Sequence, residues 1–278
     1  MLSACGSQAA GSGIRHRNAK KRSSGSSRNC SSQPILPSAP VAQSSPPSDP
    51  NRLVLSGEIK ICGLRSIDMI ETAAQAGASL AGFVFVPASP RYVGSLAEAK
   101  PLVDAAKALG LRAVALVAGQ GPDALASLAQ ALPLDALQLH GAEEPALVEA
   151  IGAAVHIPIL AARAVSTARD IGDDVLPRAD GLLFDAKPPE GARYQGGHGT
   201  PFDWSVLAAY RGSLPFLLAG GLTPENVTQA IRVAASHPQF AGVDVSSGVE
   251  AEKGQKDPAK IVAFVERARA AMRDARPL

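Results

Sequence analysis

Two side chains with acid–base chemistry stand at the ends of short apolar runs that are typical of buried strands. Cys62 ends the run "IKIC" at 59–62, and Asp185 ends the run "DGLLFD" at 180–185. A cysteine near a positive charge ionises to a basic thiolate, and a carboxyl group can donate a proton. Each residue alone also fits a plain role, Cys62 as buried filler and Asp185 as a loop-capping carboxylate. Their similar placement favours an acid–base pair.

Three further polar residues follow predicted strands and are candidate substrate contacts. Arg91 stands in the loop "SPRYV", where its planar guanidinium matches a carboxylate, with a surface salt bridge as the alternative. His140 ends the run "DALQLH" and is interpreted either as a satisfied histidine at a strand end or as a substrate contact. Asp244 lies in the run "AGVDVS" and is the third candidate.

Two loops near the end of the chain have the composition of a phosphate site. The segment "LAGGLTPENV" contains Gly220 and Gly221, and "DVSSGVE" contains Ser246, Ser247 and Gly248. Glycines let the backbone approach an anion closely, and backbone N–H groups with serine hydroxyls can hold phosphate. Ordinary turn chemistry is the alternative for either loop. The two loops together predict a phosphorylated small-molecule substrate.

Eight short apolar runs alternate with segments of helical periodicity from Glu58 onward. The runs lie at 59–62, 79–85, 112–117, 135–140, 157–162, 180–185, 215–220 and 241–246. Eight such units in about 220 residues predict a single (β/α)8 TIM barrel. An open doubly wound sheet is the alternative, disfavoured because no G-x-G-x-x-G follows the first run. The active site of such a barrel lies at the C-terminal ends of its strands, where the candidate residues stand.

The start of the chain differs sharply in composition from the rest. The first 50 residues hold 13 serines, six Lys or Arg and one acid, Asp49. Such a segment cannot bury enough apolar surface to offset its ordering entropy. We therefore predict a disordered N-terminal extension over residues 1–52 and the barrel over residues 53–278. The expected location is cytoplasmic. An acid-poor, Ser-rich start is also typical of organelle transit peptides, which makes an organelle such as a plastid the alternative.

The net charge of +2 and the cysteine count exclude several classes of function. Of the 27 basic and 25 acidic side chains, six and one lie in the first 50 residues, which leaves 21 and 24 in the remainder. This acidic balance argues against nucleic-acid binding. No apolar run approaches the roughly 20 residues that span a bilayer, so no membrane role is expected. The three cysteines, Cys5, Cys30 and Cys62, make neither a disulfide framework nor a metal cluster.

Seven segments, in their order and spacing, resemble the phosphoribosylanthranilate isomerase family. They extend over nearly all of the predicted barrel and are "KICGLRS", "GFVFVPASPRYV", "LQLHG", "LLFDAKPP", "GGHGTPFDW", "LAGGLTPENV" and "VDVSSGVEAEKGQKD". The first segment alone would be modest support, whereas the seven together are highly specific. Two positions depart from the family pattern: Thr200-Pro201 stands where a lysine is common, and Arg65 where a threonine is common.

The resemblance implies a (β/α)8 barrel that works as a monomer without a metal ion or an organic cofactor. It implies an Amadori rearrangement of N-(5-phosphoribosyl)anthranilate to 1-(2-carboxyphenylamino)-1-deoxyribulose 5-phosphate, a step of tryptophan biosynthesis. By the same resemblance Cys62 is the general base and Asp185 the general acid. Arg91 would hold the anthranilate carboxylate, and the two glycine-rich loops would hold the phosphate.

Other functions fit the residues less well. A ribulose-phosphate epimerase should show metal-ligating His and Asp residues at its strand ends, and an indole-glycerol-phosphate synthase a lysine acid at an early strand. A non-catalytic sugar-phosphate-binding protein is disfavoured by the intact pair of Cys62 and Asp185. A Cys-His-Asp hydrolase using Cys62, His140 and Asp185 lacks an oxyanion loop beside the cysteine.

Overall fold

Eight parallel strands close into a barrel in the computed structural model, which describes residues 54–141, 144–171, 178–187 and 201–275. The strands are β1 (Glu58–Cys62), β2 (Leu80–Val84), β3 (Arg112–Val117), β4 (Ala136–Leu139), β5 (Ile159–Val165), β6 (Gly181–Ala186), β7 (Phe216–Leu218) and β8 (Phe240–Val245). Each strand pairs with the next, and β1 pairs with β8. The predicted barrel and its eight strands are confirmed, while the predicted extension, residues 1–52, lies outside the described residues.

Among the residues that the structure describes, six α-helices cover the barrel, and local sequence signals explain where several of them begin and end. They are α1 (Ile67–Ala76), α2 (Leu96–Ala108), α3 (Pro122–Ala131), α4 (Pro145–Ala154), α5 (Val227–Ala234) and α6 (Pro258–Asp274). Ser95 and Glu98 form a reciprocal capping box at the start of α2. Three helices begin with proline, whose missing N–H has no intrahelical partner at that position. Gly77, with a φ of 95°, ends α1 in the left-handed conformation.

The described parts of two connections hold short 3₁₀ helices where the alternating pattern predicts α-helices. They are Ala168–Asp170, between β5 and β6, and Trp204–Ala209, between β6 and β7. In the first, the Asp170 carboxylate accepts from the backbone N–H groups of Ser166 and Thr167, and in the second, the Asp203 carboxylate accepts from the backbone N–H of Ser205. Such bonds favour a tight local turn. After β8 come a third 3₁₀ helix, Ser247–Val249, and a small hairpin of β9 (Glu250–Glu252) and β10 (Gln255–Lys256).

The core has two apolar layers because side chains of a strand alternate between the two faces of the sheet. The larger layer fills the space between strands and helices. The smaller one fills the lower interior of the barrel with Leu55, Leu80, Val114, Ala136, Leu160, Leu183, Leu217, Ala219 and Ala241. Toward the C-terminal ends of the strands, which we call the upper end, the buried side chains become polar: Lys60, Gln138, His140, Asp185 and Asp244. None of the described helices is long and apolar enough to cross a membrane.

The lower end of β1 is closed by an ionic cluster, which we call the floor cluster. Glu58 is 7% exposed and pairs with the guanidinium of Arg112 on β3. Its carboxylate also accepts hydrogen bonds from the Ser79 hydroxyl at 2.6 Å and from the backbone N–H of Ser56 at 3.1 Å. Arg112 donates to the carbonyl oxygen of Val54 at 3.1 Å. Every charged group of this cluster therefore has a partner of opposite charge within it.

Candidate active site

Cys62, at the upper end of β1, is a buried free thiol beside an ammonium group. Lys60 precedes it by two residues on the same face of the strand and is fully buried. The Nζ atom of Lys60 lies 2.7 Å from Oδ1 of Asp244 on the neighbouring strand β8. Burial raises the pKa of the Cys62 thiol, the charge of Lys60 opposes this, and the Asp244 carboxylate adds to it, so the net pKa lies above its ordinary value.

The room for this thiol and ammonium comes from a glycine on β2. Gly82 is the register partner of Cys62, and a Cβ atom at Gly82 would lie 3.0 Å from the sulfur of Cys62 and 3.1 Å from Nζ of Lys60. Such distances are shorter than ordinary van der Waals contact, so any side chain here would displace both groups. The sequence run "LAGFV" therefore contributes the empty space that the pair occupies.

Asp185, at the upper end of β6, belongs to a chain of side chains that begins on β4. Gln138 Nε2 lies 2.9 Å from Nδ1 of His140, and Nε2 of His140 lies 3.3 Å from Oδ2 of Asp185. In the tautomer that accepts from the Gln138 amide at Nδ1, the ring proton is on Nε2 and faces the carboxyl group; in the other tautomer Nε2 can accept a proton from it. The other oxygen of Asp185 accepts from the backbone N–H of Ala186 at 2.8 Å. The structure thus brings the predicted residues His140 and Asp185 together.

Arg91 is 4% exposed and is held by a residue that the sequence reasoning did not single out. Its Nε and Nη2 atoms donate to the two carboxylate oxygens of Glu250, at 2.6 and 2.9 Å. Glu250 also accepts from Lys256 at 2.9 Å and from the backbone N–H of Gly254 at 3.1 Å. Burial raises the pKa of Glu250, but Arg91 and Lys256 lower it by more, so the net pKa lies below its ordinary value. The carboxylate therefore fixes the position of the guanidinium.

The two glycine-rich loops pack directly against each other. Gly220 and Gly221 have φ values of 82° and 66°, a region that favours glycine. A Cβ atom at Gly248 would lie 1.8 Å from the carbonyl oxygen of Leu222, so only glycine allows this approach. Asn226 braces the first loop by donating to the Gly221 carbonyl at 2.9 Å. The two segments that hold the five predicted phosphate-binding residues therefore lie in contact at the upper end.

The second of these loops is hydrogen-bonded to strand β1 at Cys62. The Ser246 hydroxyl donates to the carbonyl oxygen of Cys62 at 3.1 Å, and Lys256 donates to the carbonyl of Ser246 at 2.8 Å. Ser247 begins the short 3₁₀ helix that leads to Glu250. One hydrogen-bonded path therefore connects Cys62 through Ser246 and Lys256 to the carboxylate that holds Arg91.

Three contributors were missed by the sequence reasoning: Lys60, Glu250 and Lys256. A signal was present for Lys60, because a charged residue inside an otherwise apolar parallel strand must be buried with a partner. The sequence alone did not pair Glu250 with Arg91, 159 residues away. Of the two departures from the family pattern, Thr200 lies outside the described residues. Arg65 is exposed and donates to the carbonyl of Pro90 at 3.1 Å.

Known proteins with similar sequences share one description. The family model "N-(5'phosphoribosyl)anthranilate (PRA) isomerase" matches residues 59–267. A protein of that name from Rhodopseudomonas palustris (strain BisB5) is 45% identical over 222 residues, which cover 78% of this chain and 97% of the relative. One from Cereibacter sphaeroides (strain ATCC 17029) is 42% identical over 214 residues, covering 76% of this chain and 98% of the relative.

Several solved structures that superpose on this chain carry the same description. A phosphoribosyl anthranilate isomerase from Thermotoga maritima superposes with a TM-score of 0.66 at 34% identity, covering 77% of this chain and 98% of that one. A second structure, a complex with reduced 1-(o-carboxyphenylamino)-1-deoxyribulose 5-phosphate, has a TM-score of 0.63 at 31% identity, with coverage of 77% and 98%. A third, from Thermotoga maritima, is described as monomers made from a dimeric isomerase; it has a TM-score of 0.60 at 32% identity, with coverage of 77% and 98%.

Proposed function

The chain belongs to the family of N-(5'-phosphoribosyl)anthranilate isomerases, and on that premise we propose that Cys62 is its general base and Asp185 its general acid. Its activity is the isomerisation of phosphoribosylanthranilate in tryptophan biosynthesis. The observation that carries the assignment is the placement of the two groups. Each stands at the upper end of its strand, and each is flanked by a group of complementary chemistry, Lys60 beside the thiol and His140 beside the carboxyl.

Ring opening is the first step of the proposed mechanism. Asp185 gives its proton to the ring oxygen of the furanose, the bond from that oxygen to C1 breaks, and the nitrogen lone pair forms the C1=N bond of an iminium ion. The contacts of Asp185 to Ala186 and His140 hold the carboxyl group in one orientation. A fixed orientation raises the rate because the donor does not have to be ordered at the moment of transfer.

Proton removal from C2 is the second step. The Cys62 thiolate takes the C2 proton, and the electron pair of that bond forms C1=C2 while the iminium nitrogen becomes neutral. The resulting enolamine tautomerises to the ketone by gaining a proton at C1 and losing one from the C2 hydroxyl. Because the iminium ion acidifies the C2–H bond, a thiolate is a sufficiently strong base for this step.

Binding of the two anionic ends of the substrate completes the proposal. Arg91 would receive the anthranilate carboxylate, and its orientation by Glu250 supports this role because a fixed guanidinium loses little entropy on binding. The surface formed by Gly220, Gly221 and residues 246–248 would receive the phosphate. Substrate contacts of His140 and Asp244 stay predictions, and in this structure both side chains bind neighbouring protein groups.

We propose further that residues 53–278 carry the whole activity. Deleting residues 1–50 should leave kcat and KM unchanged, because the predicted site uses none of them. Extending the deletion through Leu55 should lower stability, since Val54 accepts from Arg112 and Leu55 packs in the lower interior. Loss of activity in the shorter deletion would contradict the proposal.

A monomer in the cytoplasm is the proposed state of the enzyme, acting on a phosphorylated small molecule. The dimeric Thermotoga maritima relative makes the oligomeric state a direct test. Light scattering should give a mass close to the 28.4 kDa of one chain. A mass near twice that value would show that the enzyme is a dimer and would contradict the proposed monomer.

The assignment of the base is tested by following the loss of anthranilate-type fluorescence when freshly made phosphoribosylanthranilate meets the enzyme. Wild type should remove it rapidly, whereas Cys62→Ala should be slower by about 10²- to 10⁴-fold, the usual contribution of acid–base catalysis. Lys100→Ala, on the exposed face of α2, serves as the matched control. Near-normal turnover by Cys62→Ala would refute the thiol base. No turnover by a wild type that binds a reduced product analogue would indicate a non-catalytic binding protein.

A further inference from the structure

Lys60 is a fully buried charged side chain that the proposed mechanism does not use. It lies in the middle of β1, points into the barrel, and has an exposed fraction of 0%. Lysine is almost never buried this completely without a partner, and here the partner is the Asp244 carboxylate at 2.7 Å. Burial lowers the pKa of Lys60, but Asp244 and Cys62 raise it by more, so the net pKa lies above its ordinary value. The contact with the Asp244 carboxylate therefore favours the charged ammonium form of Lys60.

One carboxylate does not exhaust the hydrogen bonds of this ammonium ion. An ammonium group has three N–H donors in a rotatable array, and Asp244 Oδ1 accepts one of them. The sulfur of Cys62 borders the same small space, since both atoms lie about 3 Å from a single point beside Gly82. The charge of the Lys60 ammonium lowers the pKa of the Cys62 thiol, and it is the largest of the effects that oppose burial.

A purely structural role explains this arrangement poorly. A buried ion pair contributes little net stability, because the cost of removing two charges from water offsets their attraction. Apolar residues of similar volume would fill the same space at no loss, as the layer just below them does. What apolar residues could not do is place a positive charge against the sulfur. Asp244 keeps the charge in place, and Gly82 keeps the space open.

We propose that Lys60, anchored by Asp244, is a positioning residue that supplies the fixed positive charge against which the Cys62 thiolate forms. This inference rests on the proposed function, in which the thiolate removes the C2 proton. The ammonium keeps its own protons throughout: the sulfur gains the C2 proton, and the electron pair moves into the C1=C2 bond. Lys60 thereby offsets part of the cost of a buried anion before the proton transfer, and Asp244 acts by holding Lys60.

Three charged groups act on Cys62 and decide the sign of each expected change. Lys60 on β1 and Lys256 on β10 favour the thiolate, whereas Asp244 on β8 opposes it. Lys256 acts through charge alone and is bound to Glu250 and Ser246, so its influence is the smaller of the two lysines. Removing Lys60 should therefore move the ionisation of the thiol to higher pH, and by more than removing Lys256 does.

The test is a titration of the thiolate by its ultraviolet absorbance in the full-length protein. Subtracting the absorbance of the matching protein with Cys62→Ala removes the signals of Cys5 and Cys30. The method needs no reagent that would have to reach the buried sulfur. Lys60→Met should raise the midpoint by about 1 to 3 pH units, the usual effect of losing an adjacent opposite charge. Lys256→Met should raise it by less, and Lys100→Met, an exposed lysine of α2, should leave it unchanged.

Steady-state kinetics separates this role from simple packing. Lys60→Met should lower kcat/KM at neutral pH by about tenfold per pH unit of midpoint shift, with partial recovery as the pH rises. Lys60→Arg, which keeps the charge, should retain more activity than Lys60→Met. An unchanged midpoint in a folded Lys60→Met protein would overturn the proposal, as would a loss of activity that no increase in pH restores.

A second variant keeps the test decisive if Lys60→Met leaves Asp244 unpaired and does not fold. The double change Lys60→Met with Asp244→Leu removes both charges together, which buried ion pairs commonly tolerate. Its midpoint should still rise, because the effect of Lys60 on the thiol exceeds that of Asp244. A midpoint that stays or falls would overturn the inference. The titration is independent of turnover: an active Cys62→Ala enzyme would remove the thiol base and leave the effect of Lys60 on the thiol measurable.

Discussion

The two ends of strand β1 hold two ionic arrangements of opposite character. At the lower end the carboxylate of Glu58 is bound by Arg112, by the Ser79 hydroxyl and by a backbone N–H. At the upper end the ammonium of Lys60 is bound by a single carboxylate, that of Asp244, and its other neighbour is the ionisable sulfur of Cys62. Both arrangements are built from residues on the same face of one five-residue strand.

The difference shows how a barrel separates stability from chemistry. In the floor cluster, the Glu58 carboxylate and the Arg112 guanidinium are paired with each other and with uncharged groups of the protein, which suits a structural role. At the upper end, the ammonium is matched in part by a group whose charge appears only when the thiol ionises. Substitutions at the upper end that leave no buried charge unpaired should therefore change turnover with little effect on stability, and substitutions in the floor cluster should do the reverse.

The largest effect is expected from Asp185→Asn at the upper end of β6. The amide cannot donate the proton that opens the furanose ring, so kcat should fall by about 10²- to 10⁴-fold. The carbonyl oxygen of the amide can still accept from the backbone N–H of Ala186, so the thermal midpoint should stay close to that of wild type. Fluorescence turnover and thermal unfolding measure the two quantities. A kcat within a few-fold of wild type would contradict the role of Asp185.

A smaller effect is expected from Arg91→Ala, which removes the proposed carboxylate contact. Losing a charged hydrogen-bonded contact weakens binding by about 1.5–3 kcal/mol, so KM should rise by about 10- to 100-fold with less change in kcat. Glu250→Gln should raise KM by a smaller factor because it loosens the guanidinium without removing it. If Arg91→Ala changes kcat alone, the carboxylate contact is wrong.

The dependence of activity on pH tests the upper end directly. The net pKa of the Cys62 thiol lies above its ordinary value, so only a minor fraction is thiolate at neutral pH, and that fraction grows as the pH rises. We expect kcat/KM to be still increasing at about pH 8, by up to tenfold per pH unit. A plateau already at neutral pH, measured by the same fluorescence assay, would show that the thiol is not the titrating base.

The smallest effect on turnover is expected from Glu58→Gln in the floor cluster. The substitution leaves the guanidinium of Arg112 without its opposite charge and should lower the free energy of unfolding by about 1–3 kcal/mol. Arg112 is partly exposed to solvent, which limits the loss. Urea unfolding measures the stability, and kcat should match wild type. A marked loss of kcat in a folded Glu58→Gln protein would break the separation between the two ends of β1.

Much of the fold can be predicted from local patterns in the sequence. All eight strands were predicted because short apolar runs recur at regular intervals, and the placement of Cys62 and Asp185 at strand ends put them on one rim. The two connections around β6 were less predictable. Their apolar pattern is short, and the capping side chains of Asp170 and Asp203 favour tight turns over α-helices.

The sequence by itself determined the alternation of strands and helices, the rim on which polar residues collect, and the chemical types of the proposed acid and base. These are local properties, since periodicity and strand ends are set by neighbours a few residues apart. Only the tertiary structure decided the partners. Lys60 meets Asp244 across 184 positions and Arg91 meets Glu250 across 159, because barrel closure aligns β1 with β8. Which charges face one another depends on register and depth, and those exist only once the sheet has closed.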